Sequence, residues 1–272
     1  MRLLFLISLI TLCNLTFAQQ DTFYRISSRG AGMAHSVATI ADSYALFNNP
    51  AGIAELSSIT ANTSFEHRFG LTELSTISAG ISLPLHFGAG GLSLTRFGGE
   101  YFNVQRVGAS YANRFGIASL GIRANYDQFN ILNFGRRGLL SVDFGGIAEL
   151  TPEVFFGAFA RNISQASFQG FSEETLPTLL SAGLSYRPTT SIMANVEVEK
   201  DLNFPVNGKI GLEYLLREIL FLRIGYQTEP SAPHFGLGFR RDIWQVDYAM
   251  QRHILLGYIH QFSFALKFQK DE

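Results

Sequence analysis

The strongest constraint on what this chain can fold into is a two-residue rhythm. From about residue 58 onward, short stretches alternate apolar and polar side chains, with breaks between them. In 243–251, Trp244, Val246, Tyr248 and Met250 fall on one face, and Gln245, Asp247, Ala249 and Gln251 on the other. Successive side chains of a strand point to opposite faces. The stretches lie near 59–69, 74–86, 88–97, 103–115, 117–129, 138–150, 154–164, 177–188, 191–200, 206–216, 219–228, 234–241, 243–251 and 257–268. Each is close to the roughly nine to eleven residues that a tilted membrane-spanning strand needs. This repeated pattern predicts an all-β fold over 58–272: a transmembrane antiparallel β-barrel of about 14 strands. In 179–188, Leu180, Ala182, Leu184 and Tyr186 face lipid, opposite Ser181, Gly183, Ser185 and Arg187. In the last stretch Phe262, Phe264, Leu266 and Phe268 face lipid, opposite Gln261, Ser263, Ala265 and Lys267.

The N-terminus fits that compartment. Arg2 supplies a positive n-region, Leu3–Leu12 an apolar run too short to span, and Thr16-Phe17-Ala18 a cleavage site, so 1–18 reads as a signal peptide. Its removal takes away Arg2 and the one cysteine, Cys13, and shifts the formal net charge from −1 to −2. No disulfide and no cysteine-based metal site or nucleophile is then available. Near-neutral charge without basic clusters argues against nucleic-acid binding. The expected location is the outer membrane of a Gram-negative bacterium, with outer-membrane lipid as the surrounding partner.

Residues 19–57 break the rhythm. The stretch from Arg29 to Phe47 is rich in small residues and ends at the turn-forming Asn48-Asn49-Pro50-Ala51-Gly52. This segment reads as an N-terminal plug or hatch holding one or two short helices, tucked into the barrel or closing its periplasmic end. Its candidate residues are Arg29, Gly30, Gly32, Asp42, Asn49, Pro50, Ala51 and Gly52. The Asn49–Gly52 turn is read chiefly as a rigid feed into the first strand, with a movable hatch as the alternative.

The motifs Ser28-Arg29-Gly30-Ala31-Gly32-Met33-Ala34, Ala38-Thr39-Ile40-Ala41-Asp42-Ser43 and Asn49-Pro50-Ala51-Gly52 resemble the PorV/PorQ family of outer-membrane proteins, related to the FadL fatty-acid channels. The resemblance implies a fourteen-stranded barrel with an N-terminal segment inside. It also implies a role as a partner-binding component in type IX protein secretion or surface attachment, meeting secretion-system proteins or secreted cargo. The FadL relationship implies a second function, a passive channel for hydrophobic small molecules. Brief external loops, with little from which to build a ligand vestibule, favour the first.

Connections and charges complete the expectation. Terse turns follow even-numbered strands, as at Phe115-Gly116, Thr151-Pro152-Glu153 and Arg241-Asp242. Longer loops follow most odd-numbered ones, as at Asn130–Arg137, Gln165–Leu176, Asp201–Pro205, Thr228–Pro233 and Arg252–Leu256. Short periplasmic turns and longer external loops give that alternation. Inward parity falls on Arg123, Asp143, Glu149, Glu197, Glu199, Lys209, Glu213, Arg217, Arg223 and Asp247. These charges would line a polar pore or, as the favoured reading, pair with one another in a filled lumen. Tyr186, Tyr226, Tyr248, Tyr258 and Trp244 read as aromatic girdle residues, and His260 as a lipid-parity residue at the outer rim.

No catalytic or metal constellation emerges. His35, His67, His86, His234, His253 and His260 lack metal-ligand spacing, and no G-x-S-x-G occurs. Gly30 and Gly32 lack the third glycine and the strand–helix context of a nucleotide loop. The chain is therefore expected to be non-enzymatic, without a cofactor or metal. The mature protein should begin at Gln19, run anomalously on unheated gels and fractionate with the outer membrane. N-terminal sequencing and heat-modifiability check this, and recovery in the soluble periplasm would refute the barrel.

Overall fold

The computed structural model describes residues 25–167 and 176–268; the expected signal peptide and residues 19–24 lie outside them. Fourteen strands form one closed antiparallel barrel, each paired with its neighbours in sequence and the first with the last. They are β1 (Thr60–Arg68), β2 (Leu71–Pro84), β3 (Ala89–Gly98), β4 (Phe102–Phe115), β5 (Ala118–Ile131), β6 (Gly135–Thr151) and β7 (Val154–Arg161). The circuit continues through β8 (Leu179–Thr189), β9 (Ile192–Asp201), β10 (Val206–Leu216), β11 (Leu220–Thr228), β12 (Ser231–Arg241), β13 (Trp244–His253) and β14 (Gly257–Lys267). Closure is what the bilayer demands, because an open sheet edge in hydrocarbon leaves backbone donors and acceptors unpaired. Each stretch of alternating sequence carries one strand.

The alternation of faces holds along the wall. Leu180, Leu184, Tyr186, Phe262 and Trp244 are exposed on the outside, while Ser181, Ser185, Gln261, Ser263 and Asp247 are buried inside. The remaining girdle residues Tyr226 and Tyr258 are exposed outward, and the half-buried Tyr248 takes the same face. His260, on the outward side of β14, has its Nδ1 2.8 Å from the Tyr248 hydroxyl.

Two expectations need correction. Two of the longer loops are mostly strand. β5 and β6 run on to Ile131 and from Gly135, and β11 and β12 leave only 229–230 between them. Polar and turn-type residues sit in strand there because the ladder continues past the hydrocarbon, where no lipid imposes an apolar face. β7 ends at Arg161 and β8 begins at Leu179, with 162–167 and 176–178 described between them. Arg217, assigned inward, is instead exposed in the β10–β11 turn with φ +50°, because parity ends where the strand ends.

Inside the ring lies the segment 25–58. It holds a short helix α1 (Ser28–Gly32) capped by the Ser27 side chain, and a 3-10 helix (Pro50–Glu55) capped by Asn49 with Pro50 opening it. The expected short helices are present, and the Asn-Pro motif starts the second rather than ending a first. Two apolar clusters form against the wall. One gathers Ile26, Tyr44, Leu46, Phe47 and Ile53 with Ala89, Ala112 and Ala265. The other gathers Met33, Val37, Ala38 and Ile40 with Phe159, Leu179 and Met193.

Inward polarity here does not mean contact with water. Ser185, on the polar face, is 0% exposed, with its hydroxyl held by Arg187 Nε at 3.1 Å. From parity alone an arginine would be tolerated at Ser185, but the filled interior leaves no room for one. Leu184→Arg should impair assembly by up to ~2–4 kcal/mol, because it puts a charge on the lipid face. Ser185→Arg should fail as well, by overpacking, while Ser185→Ala should fold. Refolding yield into vesicles, read by gel shift, checks the three.

Candidate functional site

The lumen is where the chemistry-bearing residues meet. All eight of its singled-out charges, Arg123, Asp143, Glu197, Glu199, Lys209, Glu213, Arg223 and Asp247, are buried, and most are partnered in ion pairs. The largest network starts in the segment. Arg29 forks onto Glu213 through Nε at 2.9 Å and Nη2 at 2.6 Å, and its Nη1 donates to Asp42 at 3.2 Å. Glu213 also accepts from Arg223 Nε at 2.6 Å, and Arg223 Nη1 reaches Asp247 at 2.6 Å. Burial alone would lower the pKa of Arg29; Glu213, then Asp42, more than reverse this and hold the guanidinium above its ordinary value. The strand alternation sets Glu213 and Arg223 directly opposite one another on β10 and β11.

Two further networks join segment to wall. Arg123 donates to Asp143 at 2.6 Å and to the Leu46 carbonyl, and Asp143 also accepts from Asn125 at 2.9 Å and from the Asn162 N–H at 2.8 Å. Lys209 pairs with Glu199, lies 3.7 Å from Glu197 and donates to the His35 carbonyl at 3.5 Å. Glu197 accepts from the Ala38 N–H at 2.7 Å, and Arg25 Nη2 donates to Glu199 at 2.8 Å. These charges pair across the lumen, and segment backbone groups complete the pairs, which the alternation of the strands does not reveal. Glu149 sits at the rim, where Arg114 binds both it and Glu55.

The segment's candidate residues have distinct places. Asn49 donates to the Ala38 carbonyl at 2.6 Å and to the Gly146 carbonyl at 3.1 Å, while its Oδ1 accepts from Ala51 N at 3.1 Å. Pro50, Ala51 and Gly52 are buried beside it, and Gly30 and Gly32 lie in α1, Gly32 against Gly236 of the wall and Gly30 against Val37 of the segment. Sequence reasoning missed Tyr44 and the wall glycines. The Tyr44 hydroxyl lies 2.9 Å from the carbonyls of both Thr63 and Phe264, and burial raises its pKa. A side chain at Gly157 would begin 2.1 Å from the Ala38 carbonyl oxygen, and one at Gly225 2.4 Å from Ala34 N. Glycine at strand positions facing inward is the signal that could have revealed this close approach. His35 packs edge-on to His234 with ring centroids 6.0 Å apart. Burial, reinforced by Arg25, His234 and Lys209, pushes the His35 pKa well below the usual range and keeps the ring neutral at neutral pH.

Two openings flank the second cluster. A groove of about 640 Å³ indents the lipid-facing wall of β5–β9, floored by Gly146, Ala148, Ala158, Ala160 and Ala182 and reaching Ile147 and Phe159. A cleft of about 510 Å³ opens by the turns after β6, β8 and β10 and is of mixed character, walled by Ile40, Phe155, Met193, Leu215 and Phe221 and by the charged Arg29, Glu153, Arg187 and Glu213. Arg187 stacks on Phe155 with its guanidinium 4.1 Å from the ring centroid and donates to the Thr39 carbonyl at 2.8 Å. Phe159 lines the groove, Met193 and Ile40 line the cleft, and all three belong to one cluster.

No family model and no curated protein matches the sequence. Solved structures match in fold. A structure described as the CymD monoaromatic hydrocarbon channel superposes with a TM-score of 0.71 at 11% identity, covering 92% of this chain and 100% of that one. A mutant of the TodX monoaromatic hydrocarbon channel gives 0.62 at 12% identity over 89% and 99%. The outer-membrane protein Omp33 of Acinetobacter baumannii gives 0.52 at 9% identity over 79% and 100%. The fold is thus that of integral outer-membrane barrels.

Glu213→Ala should cost about 3–5 kcal/mol by removing the carboxylate shared by two buried arginines and leaving Arg29 with Asp42 and Arg223 with Asp247 alone. Gly157→Val should loosen the segment without opening the wall. Denaturation midpoints in detergent check the first, and protease cleavage within 25–58 of folded protein checks the second.

Proposed function

We propose that this chain is a non-enzymatic outer-membrane barrel that passes small hydrophobic molecules from the lipid side of its wall to the periplasm, with segment 25–58 plugging the lumen against water and ions. The observation that carries this reading is that apolar side chains, rather than charge networks, lie between the outer groove and the cleft, on either side of an unbroken ladder. The groove outside β5–β9, the cluster around Phe159 and Met193, and the cleft by Ile40 and Phe155 share residues in sequence. Away from this region and from the cluster around Leu46 and Phe47, the lumen side carries mainly serine, asparagine and paired charges. Apolar solutes gain by following such a track, while the charge networks offer them nothing. The structural likeness to two monoaromatic hydrocarbon channels supports a solute of that kind. The partner-binding role in type IX secretion implied by the Ser28–Gly52 motifs draws no comparable support from this arrangement.

Proteoliposomes with the intact protein should take up radiolabelled toluene faster than protein-free vesicles while conducting few ions in planar bilayers. Ala158→Trp and Ala160→Trp, which fill the groove from the lipid side, should slow uptake without changing conductance. Deleting 25–52 should raise ionic conductance. Uptake indifferent to both groove substitutions would sink the route, and large steady conductance of the intact protein would sink the plug.

A further inference from the structure

The wall is not of even height. β6 has 17 residues, but β7 has only 8 and pairs with β6 from Phe144 to Thr151. Above that, the last bonds on this side join the Val142 carbonyl to Ile163 N at 2.8 Å and the Val142 N–H to Ser164 Oγ at 3.3 Å. Residues 135–141 of β6 remain laddered to β5 without a register break, yet face no strand on their other side among the described residues. Backbone groups of successive residues in an antiparallel strand alternate in direction. Since Val142 bonds away from β5, the N–H and C=O groups of Arg136, Gly138 and Leu140 also point to the open edge.

This edge stands clear of the membrane. Eight residues of β6 paired with β7, and the few above them, already match the height of a spanning strand. Gly135–Gly138 are exposed on both faces, Phe134 at the hairpin tip is 87% exposed, and Leu140 is 71% exposed. Arg136 and Arg137 point to opposite faces and form no ion pair among the described residues. Natural sheets usually blunt such an edge by covering it, bulging it or placing proline there.

We propose that the outer edge of β6 at Arg136–Leu140 is an extracellular docking strand for an extended, acidic segment of another protein, which adds as a further strand. The open backbone groups supply the ladder, and pockets between alternate side chains read the sequence. Acidic residues meet Arg136 on one face and Arg137 on the other, with apolar residues beside Leu139 and Leu140. A second copy of the same edge is a poor occupant, because pairing would bring arginines together, and like charges across a ladder repel. A lipid headgroup satisfies the arginines but leaves the backbone row unpaired.

The test uses the full mature protein in neutral phosphatidylcholine nanodiscs and a fluorescein-labelled peptide about seven residues long, with two adjacent glutamates, one for each face, flanked by valines. Anisotropy should show it binding about tenfold tighter than its lysine–valine counterpart, and backbone N-methylation of the acidic peptide should abolish binding. Arg136→Glu with Arg137→Glu should invert the preference. Leu140→Pro removes only an edge-directed donor and should weaken binding about tenfold. Heat-modifiable migration verifies that both variants are folded, and the methylated peptide tests the edge on the unaltered protein. Equal binding of methylated and unmethylated peptides would overturn the proposal. So would displacement by phosphatidylglycerol vesicles as effective as by unlabelled peptide, which would assign the arginines to lipid headgroups. Absence of binding to the folded protein would also overturn it.

Discussion

Closing fourteen strands into a ring satisfies every lipid-level backbone group, but it also encloses a space wider than strand side chains fill by themselves. Residues 25–58 pack against the inner face of that ring. The contacts are close enough to dictate wall composition: where the segment backbone passes, the facing strand position is glycine, as at Gly157 and Gly225. The wall and its filling are therefore one packed object, and a substitution on the inner face is a core substitution.

The interior solves an electrostatic problem at the same time. Isolated charges in a dry lumen would be prohibitive, and even paired ones repay their desolvation only when the remaining donors and acceptors are met. Here the pairs are extended into networks. Arg29 enters between Glu213 and Asp42, the Leu46 carbonyl accepts from Arg123, and Ala38 N–H completes Glu197. Such geometry stabilises less by net energy than by selecting one placement of the segment, since any shift strands several charges together. Around Phe159 and Met193 the networks give way to apolar packing, and it is there that the groove and cleft lie.

Much of the architecture was legible because a period of two is imposed on every strand that has lipid on one side. Leu180, Leu184, Phe262 and their inward neighbours were assigned correctly for that reason. The same logic failed where lipid stops. The residues of 130–137 looked like a loop because above the membrane nothing enforces alternation, yet most of them are paired strand. Arg217 kept the parity of its strand in sequence but not in space. Alternation says which side a residue faces, not what it meets there. That Ser185 is sealed, that Asn49 bonds across to β6, or that β7 is half the length of β6 depends on partners remote in sequence. Only inward glycines hinted at the segment's course.

Tyr44 carries a consequence for how the barrel is made. Its hydroxyl sits beneath a carbonyl of β1 and a carbonyl of β14, the two strands whose pairing shuts the ring. Ser28 N–H likewise donates to Ser263 of β14 at 3.3 Å. That seam joins opposite ends of the chain, so it carries the highest loop-closure entropy in the molecule. The segment precedes every strand in the chain and is tethered directly to β1. It is thus in hand when β14 arrives, and offers the last strand a surface already fixed relative to the first. Threading the same residues into a finished ring would mean carrying bulky side chains in through its end and setting every bond afterwards. The order of the chain, filling first and wall second, makes the segment a mould around which the final joint is set.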